Sequence, residues 1–238
     1  MPHEKMDAQQ VAAYVHLDLR EVRKLASRGQ MPARKVGERF IFTKAEVDRW
    51  VEREIHELDA DRLERIERGV RAHHGMAAGE LEVAALIPDG GVEVPLGART
   101  CDAAIRRLVA LGEACGCVYA PDDVIEDVRG REDLHSTAVA PGVALPHPPG
   151  PLPYDISESF VVCGLSPAGI PFGAPDGSLT HLFALVCCKE ERTQLHVLAR
   201  LARMVRHAPT RRQLLAAAGA EALRAILHDR ERALIDDS

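Results

Sequence analysis

The hydrophobic and polar positions divide the chain into an N-terminal part with short helical patterns and a longer part in which strand and helix patterns alternate. In the first part, three short polar residues are each followed three residues later by Glu or Gln, the capping-box pattern of a helix start. These boxes are Asp7-x-x-Gln10, Asp18-x-x-Glu21 and Thr43-x-x-Glu46. Gly37-Glu38 separates two strand-like runs and predicts a hairpin. Residues 1–54 are therefore expected to form a small, mostly α winged helix-turn-helix unit, with Trp50 in its core.

Residues 55–79 continue the helical periodicity in a strongly charged sequence, which predicts a helical linker. Asp59 and Asp61 are placed to cap a second helix that runs to about His73. The apolar stripe of this segment lacks sustained heptads, so a homodimer formed through it stays an open alternative.

Residues 80–232 alternate between strand and helix patterns, which predicts an α/β domain with helices covering a mixed sheet. Strands are predicted over 92–94, 159–165 and 180–188, and helices over 101–115, 122–134, 194–205, 210–217 and 221–227.

Charge separates the same two parts of the chain. The formal net charge is −6, yet residues 1–45 contain nine Lys and Arg against five Asp and Glu, whereas the remainder contains 21 against 31. Only the N-terminal part is therefore expected to meet a polyanion.

Composition limits the function classes. No apolar run approaches the roughly 18 residues of a membrane span, and no secretion signal follows Met1, so we expect a cytoplasmic protein without membrane insertion. The six cysteines lack paired CxxC spacing, which favours reduced thiols and predicts neither a metal site nor a cofactor.

Short stretches of the N-terminal unit occur in the order found in one DNA-binding family. They are Val11-Ala12-Ala13-Tyr14, Glu21-Val22-Arg23-Lys24-Leu25, Gly29-Gln30-Met31-Pro32-Ala33 and Val36-Gly37-Glu38-Arg39. Over roughly residues 6–52 the chain thus resembles the excisionase-like, MerR-related family. The resemblance implies DNA as a partner, with Arg20, Arg23 and Lys24 of the second helix in the major groove and Arg34, Lys35 and Arg39 of the wing on the backbone. The alternative that these six cations are an ordinary solvated face stays open.

A second set of motifs lies in the C-terminal part. The stretches Arg131-Glu132-Asp133-Leu134-His135-Ser136-Thr137 and Gly142-Val143-Ala144-Leu145-Pro146-His147 are followed by Gly169 to Gly177, His181 to Val186 and Gln194 to Ala199. Over about residues 80–230 the chain resembles the fructose/mannitol-type and nitrogen-regulatory IIA proteins of the phosphotransferase system (PTS EIIA type 2).

That resemblance implies that His147 accepts a phosphoryl group from the histidine-containing phosphocarrier protein. Arg131 then compensates the phosphoryl charge, and Ser136 and Thr137 add hydroxyl contacts. His196 retains the second histidine of a family His-Leu-His pattern, whereas Gln194 replaces the first and must act as a neutral donor.

A further departure follows the acceptor position. Pro148-Pro149 stands where the family has Gly directly after the histidine, which stiffens the loop that a partner would approach.

Three functions remain open on the sequence. The first is a PTS-linked transcription regulator that binds DNA and is phosphorylated on His147, a phosphoryl carrier rather than a turnover enzyme. The second is a IIA component that passes phosphate to a sugar permease, and the third is a non-phosphorylatable sensor of PTS partners.

Overall fold

The structure, a computed structural model, describes residues 4–55, 58–77 and 79–237. Its N-terminal unit contains β1 (Lys5–Asp7), α1 (Ala8–Tyr14), α2 (Leu19–Ser27), β2 (Arg34–Val36), β3 (Arg39–Thr43) and α3 (Lys44–Glu54). The strands form an antiparallel sheet in the order β1-β3-β2, and Gly37 takes a φ of 60° in the turn of the wing. This confirms the winged helix-turn-helix.

The predicted helix starts are met in three different ways. Asp7 forms the complete capping box with Gln10, whereas the Asp18 side chain accepts from the backbone N–H of Arg20. The capping prediction for Thr43 is wrong, because its hydroxyl oxygen instead accepts a hydrogen bond from Lys5 Nζ at 2.9 Å. Strand β1, which carries that lysine, was not predicted, because three residues are too few to show a periodicity.

The C-terminal part forms a five-stranded mixed sheet with helices on both faces. Its elements are β4 (Val92–Glu93), α5 (Cys101–Ala114), α6 (Pro121–Leu134), β5 (Ala138–Ala140), β6 (Val143–Ala144), β7 (Phe160–Ile170), β8 (Thr180–Cys187), α7 (Glu191–Arg206), α8 (Ala208–Leu215) and α9 (Ala220–Asp236). The strand order is β4-β7-β8-β6-β5, with parallel β4–β7 and β6–β8 pairs and antiparallel β7–β8 and β5–β6 pairs. The predicted α/β class is confirmed.

The two central strands, β7 as far as residue 166 and most of β8, are buried on both faces. In β7, Phe160 and Val162 pack with α5 and α6, while Val161 and Cys163 pack with α7 and α9 on the other face. The second of these hydrophobic clusters continues without a break into the N-terminal unit. The winged unit is therefore packed against the α7 face of the sheet.

Helix α4 (Ala60–His74) joins the two parts. Asp59 caps its start by accepting from the Arg62 N–H at 2.8 Å, as the sequence predicted, and Gly75 ends it with a φ of 67°. The helix runs along α7, where buried Glu67 pairs with Arg200 and with Arg203. Helix α4 is thus buried on one side and packed on the C-terminal domain.

Candidate functional site

His147 lies in a loop that begins where β6 ends. The acceptor loop (residues 145–151) is held to the sheet because the Leu145 N–H donates to the Thr137 carbonyl and the Val186 N–H donates to the Pro146 carbonyl. The His147 side chain is 2% exposed. His147 is thus buried although it lies in a loop.

The tautomer of His147 follows from one hydrogen bond. Nδ1 lies 2.7 Å from the Leu145 carbonyl oxygen, which can only accept, so Nδ1 carries the proton. Burial, with the Arg131 cation as a second cause, lowers the pKa of His147 to about 3, so the ring is neutral near pH 7. Nε2 then carries the lone pair, and it has no hydrogen-bond partner among the residues that the structure describes. A neutral imidazole with a free Nε2 is a nucleophile.

Arg131 supplies positive charge beside this ring. It lies in the last turn of α6, is buried, and donates from Nη1 to the His135 carbonyl oxygen at 2.9 Å. Burial lowers its pKa, and the carboxyl groups of Glu52 and Glu132 oppose that effect. A guanidinium at this position is suited to binding the oxygens of a phosphoryl group.

The hydroxyl groups expected at the site are engaged elsewhere. Thr137 Oγ1 donates to Glu132 Oε2 at 2.6 Å, and Ser136 Oγ donates to the Phe172 carbonyl oxygen at 2.8 Å. In this arrangement both hydroxyl groups donate to oxygens of the protein.

Gln194 lies on α7 directly beside the acceptor loop. Its Nε2 donates to the Pro148 carbonyl oxygen at 3.2 Å and to Glu52 Oε1 at 3.1 Å. Its own Oε1 is buried without a partner among the described residues. Gln194 thus lies beside the acceptor loop and donates to its backbone.

His196 lies on the same helix but contacts a different part of the molecule. Its Nε2 approaches the Leu81 carbonyl oxygen at 3.3 Å, and burial next to Arg200 lowers its pKa to about 4. Residues two apart on a helix point in different directions. The structure therefore brings together His147, Arg131 and Gln194, with His196 and Thr137 in other contacts.

Glu52 of α3 is the site residue that the sequence reasoning missed. Its side chain is 5% exposed, and burial, with Asp48 as a second cause, raises its pKa to about 8. Lys44, Asp48 and Glu52 are spaced four apart and are all buried. A charged stripe of this spacing normally faces solvent, so only the tertiary structure shows that it packs against α7.

A second candidate site lies on the N-terminal unit. The six predicted cations are all exposed, with Arg20, Arg23 and Lys24 on α2 and Arg34, Lys35 and Arg39 on the wing strands. Within residues 4–55, 58–77 and 79–237, none of the six forms an ion pair. Their charge is available to an external anion.

Fold and sites together define a class of protein, an α/β domain with a buried, neutral histidine in a loop next to its sheet, joined to a winged helix-turn-helix. The family model described as phosphoenolpyruvate-dependent sugar phosphotransferase system, EIIA 2, matches residues 86–230, and the chain belongs to this family. A helix-turn-helix domain model matches residues 6–54. The chain thus combines a PTS IIA-type domain with a domain of a DNA-binding class.

Solved structures share the fold of the C-terminal domain. The nitrogen regulatory protein IIA-Ntr from Neisseria meningitidis is 24% identical with a TM-score of 0.55, over 61% of this chain and 98% of that chain. IIA mannitol from Escherichia coli is 18% identical with a TM-score of 0.52, over 58% of this chain and 96% of that chain. A complex of Escherichia coli enzyme IIA mannitol with phosphorylated enzyme IIB mannitol contains a chain at 18% identity and a TM-score of 0.51, over 59% and 95%.

A comparison with curated proteins gave no match. Among the residues that the structure describes, no helix is long and apolar enough to cross a membrane.

Proposed function

We propose that this protein is a cytoplasmic, PTS-linked transcription regulator that binds DNA through its winged helix-turn-helix and accepts a phosphoryl group on Nε2 of His147. The donor is the histidine-containing phosphocarrier protein. The observation that carries the proposal is the 2.7 Å contact between Nδ1 and the Leu145 carbonyl, because it leaves the Nε2 lone pair free on a neutral ring.

The transfer step needs only groups that the two proteins supply. The Nε2 lone pair of His147 attacks phosphorus, the P–N bond to the donor histidine breaks, and the donor nitrogen leaves with the bonding electron pair. The Nδ1 proton stays on His147, where the Leu145 carbonyl continues to accept it. The positive charge that develops on the ring is balanced by the dianionic phosphoryl group.

Arg131 and Gln194 are the residues that we assign to the phosphoryl oxygens. Arg131 contributes charge and Gln194 contributes neutral N–H donors, a combination suited to a group whose charge is spread over three oxygens. Thr137 joins them only after its hydroxyl leaves Glu132.

The DNA-binding half of the proposal rests on the exposed cations. Three of them lie on α2, the second helix of the helix-turn-helix, which in this motif enters the major groove. The others lie on the wing, where contacts to phosphates position the protein without reading sequence. Phosphorylation of the C-terminal domain then changes how α2 and the wing are presented to DNA.

Intact-mass spectrometry tests the acceptor. The full chain is incubated with phosphoenolpyruvate, the general phosphotransferase enzyme and the phosphocarrier protein. We expect one acid-labile phosphoryl increment in the wild type, none in His147→Ala, and an unchanged increment in the control His135→Ala, which removes an exposed histidine nearby. No increment in the wild type would overturn the acceptor role and leave the alternative of a sensor that has lost the chemistry, which Pro148-Pro149 favours.

A further inference from the structure

Helix α3 of the N-terminal unit closes the histidine site. Its Glu52 carboxyl group contacts Gln194, and Gln194 in turn contacts the residue directly after His147. Beside this contact, a crevice of about 90 Å³ separates Ala45, Asp48 and Arg49 of α3 from residues 149–151 of the acceptor loop. His147 is thus buried while an element of the other domain lies against its loop.

The groups that Glu52 engages are those assigned above to the phosphoryl group. Its Oε1 accepts from Gln194 Nε2 at 3.1 Å, and its carboxyl group attracts the Arg131 cation whenever it is ionised. A carboxyl group and a phosphoryl group both present oxygens to such donors. Glu52 therefore interacts, from within the chain, with the two residues that we assign to a phosphoryl group on Nε2.

This closure leaves polar groups unsatisfied. His147 Nε2 and Gln194 Oε1 are buried without partners among the described residues, and burial raises the pKa of Glu52. Asp48, one turn earlier on α3, shows the contrast, because Tyr14 and Lys44 both donate to it. Buried polar groups without partners raise the free energy of the closed form. The incompletely paired Glu52–Gln194 contact therefore favours movement of α3 away from the acceptor loop, whereas the well-paired Asp48 does not.

We propose that Glu52 of α3 is an intramolecular occupant of the phosphoryl-acceptor site, which must move off the acceptor loop before His147 can be phosphorylated and is kept off by the phosphoryl group afterwards. This inference rests on the proposed acceptor role of His147. It adds the route by which the two domains communicate.

The route continues from α3 into the DNA-reading elements. Trp50, on the same helix, donates from Nε1 to the Gln30 carbonyl oxygen at 2.8 Å, in the turn between α2 and the wing. Helix α4 meanwhile stays on α7 through the buried Glu67 pairs. A displacement of α3 therefore acts on the connection between α2 and β2.

Chemical labelling of the full chain tests the closure without any carrier protein. Diethyl pyrocarbonate modifies neutral imidazoles, and peptide mapping reports each histidine separately, so exposed His135 serves as an internal reference. We expect His147 to react about tenfold or more slowly than His135 in the wild type, because reaction must wait for local opening. Glu52→Arg should remove most of that protection, and the control Glu46→Arg, an exposed position on the same helix, should retain it.

Folding is checked by far-UV circular dichroism and by a cooperative urea transition, neither of which depends on the position of α3 alone. Should Glu52→Arg fail to fold, Glu52→Ala removes the carboxyl group without adding bulk and is expected to act in the same direction. Labelling of His147 as fast as His135 in the wild type, or equal protection in the Glu52 variants and Glu46→Arg, overturns the closure.

Phosphorylation of the same variants separates this inference from the proposed function. Faster phosphorylation of Glu52→Arg than of wild type supports the gate. An absence of phosphorylation in every variant, with labelling gated by Glu52, overturns the acceptor role and with it the assignment of the occupied space to a phosphoryl group.

Discussion

At the scale of single residues, Glu52 sets the balance between closed and open forms. Burial, followed by Asp48, raises its pKa to about 8 from 4.5, so the closed chain holds a proton that the opened chain releases. The stabilising contribution of the protonated group is fully present below about pH 4.5 and is lost progressively as pH rises towards 8.

We therefore expect a pH-dependent difference between wild type and Glu52→Gln. From pH 5 to 8 the free energy of unfolding of the wild type should fall relative to that of Glu52→Gln, by at most about 1.4 kcal/mol per pH unit. Urea denaturation at several pH values measures it. Taking the difference cancels the buried histidines, whose lowered pKa values act in the opposite direction. Parallel pH profiles for the two proteins would contradict the raised pKa.

The sequence predicted the identity of some site residues but not their burial. His147, Arg131 and Gln194 came from motifs, because the order of residues along the chain carries that information. The burial of His147 did not, because it depends on an acceptor loop held to the sheet and on a helix from another domain. Glu52 was not predicted as a site residue for the same reason, because nothing in the local sequence distinguishes it from a solvent-exposed glutamate.

At the scale of elements, α4 packs on α7 of the C-terminal part and on α1 of the N-terminal unit. Gly69 allows α4 to approach α1 so closely that a Cβ atom there would lie 2.1 Å from the Tyr14 carbonyl oxygen. That backbone oxygen cannot move without disturbing the end of α1.

We expect Gly69→Ala to destabilise the chain by about 1–3 kcal/mol, because the clash forces α4 away from α1. The matched control is Gly130→Ala in α6, where a Cβ atom meets nothing within 4 Å. There the higher helix propensity of Ala should stabilise by about 0.5–1 kcal/mol. Urea denaturation distinguishes the two, and a stabilised Gly69→Ala would show that α4 does not pack on α1.

Elements with a long, regular pattern were predictable from sequence, whereas short strands were predictable only where a turn or an apolar alternation marked them, as in the wing and at β4. Residues 160–166 of β7 and most of β8 are buried on both faces and form apolar runs, while α5, α6 and α7 span 14, 14 and 16 residues. Strand β6 has two residues and is held by its neighbours β5 and β8, so no local pattern marks it.

At the scale of the whole molecule, charge separates what each part can bind. The exposed cations of α2 and the wing belong to a part of the chain with a positive balance, whereas the remainder is negative. Electrostatic attraction to a nucleic acid thus acts on one end and orients the protein as it approaches.

Salt dependence of DNA binding tests this arrangement. On a mixed-sequence duplex, we expect Lys35→Ala to weaken binding and to reduce the slope of log affinity against log salt by about 1, the value for one lost phosphate contact. Arg232→Ala, an exposed cation on α9, should leave both unchanged. Fluorescence anisotropy from about 50 to 200 mM salt measures the slope. Equal effects of the two substitutions would exclude the wing from the interface.

The two prolines after His147 bear on how long a phosphorylated state lasts. Residues 148 and 149 have no backbone N–H, so this part of the loop offers a phosphoryl group no main-chain donors. The phosphoryl group on His147 is then stabilised only by Arg131 and Gln194. Water can reach and hydrolyse it once α3 has moved away. We expect phosphorylated His147 to have a short lifetime, so that the phosphorylated fraction follows the current supply of phosphoryl groups and not an earlier one.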